Sequence, residues 1–579
     1  VTAPARTRHP QLTDEQRRAV ETRAHSVSLS SGAGCGKTFV LTERFLAHFE
    51  PTDPGALAPD QIGQLVAITF TDRAAREMRD RIRRKCYERL RAAPAEHAPY
   101  WLELVRALDH ARISTIHAFC AALLRSRAVE ALVDPRFAVL EQAQADTLLW
   151  EAIDDEVRRL VSRRDETTLE LAVRFNLDAL REIVRAFILQ GTPEQFEHWL
   201  AVSPDEQVAR WASCLEELPP ELARQLAASP PAQTVCDLLR ANVSTNPMMR
   251  ARRATLLETL EALSAGPERL DQLAPLLEAV VENARVAGAG RASTWPSEAA
   301  YEQFKKQAEK LRDAAKSLLF LAAFNAADAR ASAVAGRQLL AVAASARAAY
   351  ARRKQELRVM DFDDLLVRTR RLLALDEPRG VVEQLSSQIT LLLVDEFQDT
   401  DPVQAELVEA LCGQGLAGGK LFFVGDYKQS IYRFRGADPG VFRRLRQCTP
   451  PAGRQSLSLN FRSQPAVLEF VNALFWDDLG DEYEPLRPTR PQVSPRPAVE
   501  FLWAPGPPGN REKVDQLRTR EADWIARHIR AILDSAEPIV WDAQAAERGQ
   551  PAARPARLGD FVILMRALTS VETYEAALR

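Results

Sequence analysis

The sequence predicts an α/β architecture built on parallel sheets and interrupted by one long helical insertion, on three observations. Residues 26–130 alternate short apolar runs with charged helical patterns, the rhythm of strand–helix–strand units in a parallel sheet. From about Ala128 to Arg358 the strand signals vanish, and Ala, Leu, Arg and Glu dominate. The strand–helix rhythm then returns at Thr390. With 579 residues and 46% hydrophobic content, the chain has room for about three or four structural units of ~150 residues.

Taken in order, Ser26–Ser30 and Leu65–Phe70 read as strands, each followed by a charged helix. The helical stretch is broken near Ser229-Pro230-Pro231 and around Ala287–Gly290. Thr390–Val394 and Lys420–Val424 are the next strands. A second α/β unit begins near Leu457, with a Pro-rich stretch from Pro485 to Pro508 and a helix from about Glu521 to Leu533. Residues 543–557 read as a loop, and Asp560–Leu564 as a further strand. The expected organisation is a first α/β domain in two parts, 1–127 and 359–455, around an insertion at 128–358. An incomplete second domain follows at 456–579. A start at Val1 and an uncapped helical pattern at Arg579 read as part of a longer polypeptide.

Composition excludes several classes. The net charge is −3 and the isoelectric point about 6.4, so any polyanion must be met by local clusters of charge. No apolar run approaches the roughly 20 residues of a membrane span, and Val1–Arg6 has no apolar segment behind it to make a secretory signal. The seven cysteines stand singly, with no CxxC pair. This argues against a disulfide framework or a zinc or iron–sulfur site, and for a reducing cytoplasm.

Two motifs carry chemistry. Ser31-Gly32-Ala33-Gly34-Cys35-Gly36-Lys37-Thr38 lies between a strand and a helix, the context that a phosphate-binding loop requires. Small residues let backbone N–H groups approach phosphate, and the following helix points its positive end there. Lys37 is placed to neutralise β- and γ-phosphates, and Thr38 to offer its hydroxyl to Mg²⁺. Ser31 stands where such loops usually carry Gly or Ala. The second motif is Leu391–Val394 followed by Asp395-Glu396, an apolar strand ending in two acids, where open α/β sheets bind ligands. Asp395 suits the Mg²⁺ shell, and Glu396 suits orienting and deprotonating a water.

Further segments follow in a fixed order: Leu12-Thr13-Asp14-Glu15-Gln16, then Ala67–Met78, Ser114–Phe119, Asp395–Thr400, Gly425–Ala437 and Leu459-Asn460-Phe461-Arg462-Ser463. Together with the phosphate loop they resemble the motifs of UvrD/Rep-type superfamily-one DNA helicases. The long insertion, Asp361–Leu366, the Asp-Glu-Phe-Gln-Asp-Thr-Asp-Pro wording, Arg520-Glu521-Ala522 and Asp560–Leu564 make the chain most like the AddA/RecB branch of recombination helicase–nucleases. The resemblance implies RecA-like motor domains, ATP with Mg²⁺, and 3′-to-5′ movement on single-stranded DNA from a duplex end. It also implies a partner with nuclease activity, although no nuclease motif is present in this stretch.

Site roles follow from the same resemblance. Gln16 corresponds to an adenine-reading glutamine, Phe461 to an aromatic that stacks on adenine, and Arg462 to an arginine that reaches the γ-phosphate. Gln429 corresponds to a γ-phosphate sensor linked to the DNA track. Phe70, His117, Phe119, Tyr432 and Phe434 match positions lining the single-strand path, where aromatic faces hold any base at about 1–3 kcal/mol each. Phe119 reads equally as core. The arginine-rich run Arg73–Arg91 reads either as a flank of the DNA backbone or as a solvated helix face, and Asp361–Asp364 as a helix N-cap. Cys35 is either a small stand-in for serine or a thiol activated by a helix start and Lys37.

Tyr427 departs from the proline or small polar residue usual after Gly-Asp, and the family's last two motifs have no counterpart before Arg579. One rival reading is a catalytically silent DNA-binding scaffold; the intact Lys37, Thr38, Asp395, Glu396, Gln429 and Arg462 stand against it. Another is a translocase that serves a nuclease partner and unwinds little alone.

Overall fold

The computed structural model describes residues 12–287, 290–322, 324–374, 380–413, 416–480, 483–494, 499–506 and 513–579. Residues 288–289 of the expected break, 495–498 and 507–508 of the Pro-rich stretch, and the N-terminal Val1–Arg6 lie outside the described residues. The chain divides into two compact units, one formed by Val1–Val139 with Phe362–Arg579 and the other by Leu140–Asp361.

The first unit is organised around a six-stranded sheet. Its strands are β1 (Val27–Ser31), β2 (Leu65–Thr69), β3 (Arg112–Thr115), β6 (Leu391–Val394), β7 (Leu421–Gly425) and β8 (Arg454–Leu457). The two-residue strands β4 (Ala138–Val139) and β5 (Val359–Met360) lie outside this sheet. The strand order is β3-β2-β6-β7-β1-β8, and all neighbours are parallel. Every residue of β1, β2, β6 and β7 is buried, which explains the apolar runs of β2, β6 and β7: a parallel sheet is covered on both faces. Alternate residues Leu29, Ala67, Leu393 and Phe422 join one core with Val40, Leu41 and Phe45 of α2 (Lys37–Ala47), the second helix after α1 (Asp14–Glu21). The intervening Phe423 packs instead against Phe397 and Phe442, at ring distances of 4.9 and 5.7 Å. Each such buried ring contributes about 1.5–3 kcal/mol.

The four strands expected from the apolar runs are present within one residue at each end. β3 was not expected, because its alternation of Arg112, Ile113, Ser114 and Thr115 is short and half polar. It lies at the sheet edge, with only β2 beside it, where one buried side suffices.

Helices α3 (Asp72–Ala92), α4 (Ala98–Ala107) and α5 (Ile116–Ser126) follow β2 and β3. Thr71 and Thr115 cap α3 and α5 through their side chains. Most of the arginines on α3 are engaged within the unit: Arg73 with Glu77, Arg83 with Asp109, and Arg89 with Glu43 and Glu50. Arg79 donates to the Ile113 carbonyl.

Apart from β5 at its end, the second unit is built of helices and short connections among its described residues. It comprises α6 (Gln142–Ser162), α7 (Glu166–Phe175), α8 (Leu177–Gln190), α9 (Pro193–Ala201), α10 (Pro204–Glu217), α11 (Pro219–Ala228), α12 (Pro230–Ala241), α13 (Pro247–Ala265), α14 (Leu270–Asn283), α15 (Glu298–Ala322) and α16 (Ala326–Leu357). Prolines open α9 to α13 at the first helical turn, where a missing N–H costs nothing. The break at Ser229-Pro230-Pro231 is thus a restart: α11 ends at Ala228, Ser229 caps α12, and Pro230 begins it. Two separate cores hold the unit, one among α11 to α15 and one joining α6 to α9 with α16. Asp361 accepts hydrogen bonds from Tyr350 Oη and Lys354 Nζ, both on α16. No single helix among the described residues is long and apolar enough to cross a membrane.

Back in the first unit, α17 (Phe362–Ala374), α18 (Gly380–Ser387), α19 (Pro402–Cys412) and α20 (Pro439–Cys448) alternate with β6 and β7. Beyond β8 come β9 (Leu459–Asn460), α21 (Pro465–Leu479), β10 (Arg487–Pro488) and α22 (Val514–Ser535), then β11 (Pro538–Trp541), α23 (Ala543–Glu547), β12 (Ala553–Pro555) and α24 (Val571–Leu578). The expected loop at 543–557 contains α23 and β12, which pairs antiparallel with β11. The expected strand Asp560–Leu564 is absent: Leu558–Asp560 form a short 3-10 turn, and Val562 and Leu564 are 79% and 91% exposed. A strand needs a hydrogen-bonded neighbour, and among the described residues none pairs with 561–564.

Candidate functional site

Parallel strands put the loops after β1, β6 and β7 on one sheet edge, because their carboxyl ends all point the same way. That edge gathers the phosphate loop, Asp395-Glu396 and Asp426–Gln429. The loop following β1 turns through Gly34 at φ 79° and Gly36 at φ 87°, a backbone region that strains residues bearing a Cβ. Helix α2 starts at Lys37 with Gly36 as its N-cap and no side-chain cap, unlike α1, α3 and α5. Its first N–H groups are therefore available to an anion. Ser31 Oγ is buried without a hydrogen-bond partner among the described residues. The loop has the small residues and open helix start that a polyphosphate requires.

Lys37 Nζ lies 2.8 Å from Glu396 Oε2, linking the loop to the end of β6. Glu396 has φ 51°, a left-handed conformation that costs a non-glycine residue roughly 1–2 kcal/mol. Gln398 Nε2 donates to the same Oε2 at 2.8 Å, so two donors aim the strained carboxylate. Asp395 Oδ1 accepts from the Glu396 backbone N–H at 3.0 Å. Burial, then the charge of Glu396, pushes the Asp395 carboxyl up to about 6, with Lys37 opposing. The same two causes push Asp399 up to about 6. Glu396 and Lys37 thus act on both carboxyls with opposite signs. No cluster of three or more metal-ligating side chains occurs among the described residues; a Mg²⁺ ion held by one or two protein groups plus phosphates and water requires none.

The 459–463 segment meets the phosphate loop directly. Asn460 Nδ2 donates to the Ala33 carbonyl at 2.6 Å, and the Phe461 N–H donates to the Gly34 carbonyl at 2.9 Å. Asn460 Oδ1 accepts from the backbone N–H groups of Arg462 and Ser463, each at 2.8 Å. A Cβ on Gly34 would lie 2.7 Å from Arg462 Cβ. Phe461 is 39% exposed, leaving ring surface for stacking. Glu15 holds the preceding Ser458 through its N–H and hydroxyl, at 2.9 and 2.7 Å. Gln16 is buried and its Oε1 accepts from the Thr13 N–H in a capping box. Its Nε2 lies beside the loop, 3.1 Å from where a Gly36 Cβ would sit.

Of the two readings of Cys35, the structure favours the small stand-in for serine over the activated thiol. The side chain is 1% exposed and packs in the sheet core. Burial, reinforced by Asp426 and Glu15, raises the thiol to about 11 against the smaller opposing pull of Lys37. The loop's small residues turn this side chain inward, so it fills space as a protonated thiol.

After β7, Asp426 Oδ2 accepts from Gln429 Nε2 at 2.7 Å, and Asp426 Oδ1 pairs with Lys428 Nζ at 2.9 Å. The chain then reaches Tyr432, whose ring lies 4.9 Å from Phe70 and 5.9 Å from Phe434. Phe434 is 79% exposed. His117 faces Phe362 at 4.8 Å. Its pKa is lowered by burial against the opposing charge of Asp72, so it is neutral at physiological pH. Phe119 is half-buried on α5.

A family model described as the UvrD/REP helicase N-terminal domain matches residues 12–450. The chain belongs to the UvrD/REP helicase family. Among its relatives, an ATP-dependent helicase/nuclease subunit from Oceanobacillus iheyensis is 28% identical over 97% of this chain and 48% of the relative. The same-named protein of Natranaerobius thermophilus is 30% identical over 80% of this chain and 37% of its own length. That of Listeria monocytogenes is 26% identical over 98% and 48%. The chain spans about half the length of these relatives or less. The helicase-family match covers every strand of the central sheet except β8, and both flanks of the helical unit. Sequence reasoning assigned no role to Gln398, Asp426, Asn460 or Glu15. The available signal was that polar residues sit beside apolar strand ends, and three of these four are buried.

Proposed function

We propose that this chain is the ATP-hydrolysing motor portion of a DNA helicase that moves 3′ to 5′ on single-stranded DNA and unwinds duplex ends in repair or recombination. The observation that carries the reading is the Lys37–Glu396 contact, which joins the phosphate loop to the acidic strand end. Tyr432 and Phe434 follow Gln429 after β7, Phe70 follows β2, and the rings of Phe70 and Phe434 lie 4.9 and 5.9 Å from that of Tyr432. Lys37 neutralises the β- and γ-phosphates, and Glu396 takes the proton of the attacking water. Thr38 and Asp395 are the residues that would hold Mg²⁺, which supplies charge neutralisation on the phosphates. Gln16 and Phe461 receive the adenine, and Arg462 stabilises charge gathering on the γ-phosphate. Gln429 senses that phosphate.

Single-stranded DNA stacks on Phe70, Tyr432 and Phe434, with His117 and Phe119 continuing the path; stacking is sequence-tolerant, as a motor needs. Residues 1–127 and 359–455 form the first motor domain around the insertion at 128–358, and 456–579 begin the second. The relatives' printed names support a role within a helicase–nuclease assembly. The reading includes a nuclease partner and a cytoplasmic location. In a strand-displacement assay, the full-length protein should unwind 3′-tailed duplexes with Mg²⁺–ATP and leave 5′-tailed ones intact. Absence of DNA-stimulated ATP hydrolysis would overturn the motor reading; ATP-driven movement along single strands without displacement would replace helicase by translocase.

A further inference from the structure

We infer that Gln398 is a positioning residue that couples the hydrolytic carboxylate to the DNA-facing loop. This rests on the roles proposed above for Glu396, Gln429 and the aromatic group. Gln398 is 2% exposed, and both ends of its amide are engaged. Nε2 donates to Glu396 Oε2 at 2.8 Å, and Oε1 accepts from the Asp426 N–H at 3.0 Å. Its backbone carbonyl accepts from Ser430 Oγ at 3.1 Å. One residue therefore holds both ends of the 426–430 segment. Within that segment Asp426 binds Gln429, and beyond it the chain reaches Tyr432 and Phe434.

The approach is close enough to restrict a neighbouring residue. A Cβ on Gly425, the last residue of β7, would lie 2.8 Å from Gln398 Oε1, so only glycine lets the amide pass under the strand end. An amide is suited to the task because it donates from one end and accepts at the other. A shift of Glu396 during turnover pulls on Nε2, and the planar amide carries that displacement to Asp426. In the reverse direction, a base entering beside Tyr432 moves the 426–430 segment and re-aims Glu396. Lys37 contacts the same Oε2 from the phosphate side, so the carboxylate responds to nucleotide and to DNA together.

The test uses the full-length protein in two variants. Q398M keeps the bulk and removes both amide bonds; Q398E keeps the volume and the acceptor for Asp426 but loses the donor to Glu396. Affinities are read with a fluorescent non-hydrolysable ATP analogue and with an oligothymidine, and turnover is read with and without that oligonucleotide. Both dissociation constants should stay within about twofold, while the ratio of DNA-stimulated to DNA-free turnover falls about tenfold or more. If Q398M does not fold, the isosteric Q398E should show the same fall by itself. An equal drop in both turnover rates, or an unchanged ratio, would overturn the coupling role, since a packing role moves both rates together or neither. E396Q is run alongside. Wild-type turnover there, with a collapsed ratio in Q398M, would strike the assignment of Glu396 and leave the linkage standing.

Discussion

Glu396→Gln separates nucleotide binding from hydrolysis. In the structure the Glu396 carboxylate is paired with Lys37 at 2.8 Å, with side-chain exposures of 37% and 11%. Entering phosphates must therefore take Lys37 away from Glu396. A pair this open to solvent is worth about 0.2–1 kcal/mol. Cancelling the carboxylate charge should leave ATP affinity unchanged or strengthen it by at most ~5-fold, at 1.4 kcal/mol per tenfold. Hydrolysis responds oppositely. An amide cannot accept the proton of the attacking water, and loss of a positioned base costs about 10²–10⁴-fold. That range corresponds to about 2.7–5.5 kcal/mol on the barrier. The side chain keeps its size, so the left-handed turn at φ 51° gains no new strain. Phosphate release at saturating oligothymidine, beside equilibrium titration of a fluorescent ATP analogue, reads both quantities. DNA-stimulated hydrolysis near the wild-type rate would refute the assignment of Glu396. So would a loss of nucleotide affinity as large as that of Lys37→Ala, which would make Glu396 a binding residue.

Gly34→Ala should weaken nucleotide binding by roughly 5–30-fold, the equivalent of about 1–2 kcal/mol for a Cβ in the left-handed region. The same Cβ would lie 2.9 Å from Asn460 Nδ2, adding to the loss; unchanged affinity in the same titration would mean that the loop relaxes freely. Tyr432→Ala with Phe434→Ala should lower single-strand affinity by about 1–3 kcal/mol per ring, alike on oligothymidine and oligoadenine. The thermal midpoint should stay near wild type because Phe434 is 79% exposed; normal DNA binding, or unfolding, would return these rings to a packing role. Brief alkylation followed by mass-spectrometric mapping should label the exposed Cys214 and Cys448 before Cys35. The Cys35 thiol, raised to about 11, carries almost no thiolate at neutral pH, and preferential labelling there would show the loop opening far more than its packing implies.

The sequence by itself determined the sheet's central strands, the phosphate loop, the acidic strand end and the family. Each depends on a local pattern: Leu391–Val394 is apolar because both faces of a parallel strand are covered, and Gly34 and Gly36 recur where the backbone needs positive φ. Such requirements fall on consecutive residues, so they show in one dimension. Only the tertiary structure decided which polar groups meet. Gln398 and Asp426 are 28 residues apart, and Glu15 and Ser458 are separated by 443, so no spacing rule could pair them. It also decided Cys35, whose neighbours Gly34, Gly36 and Lys37 suggest an activated thiol. The direction in which the loop turns that side chain, into the core among Leu29 and Val40, is a property of the packed sheet. Asp560–Leu564 shows the converse. Its apolar residues carry a strand pattern, yet a strand exists only where another backbone supplies hydrogen bonds, and pairing partners are a matter of three-dimensional arrangement.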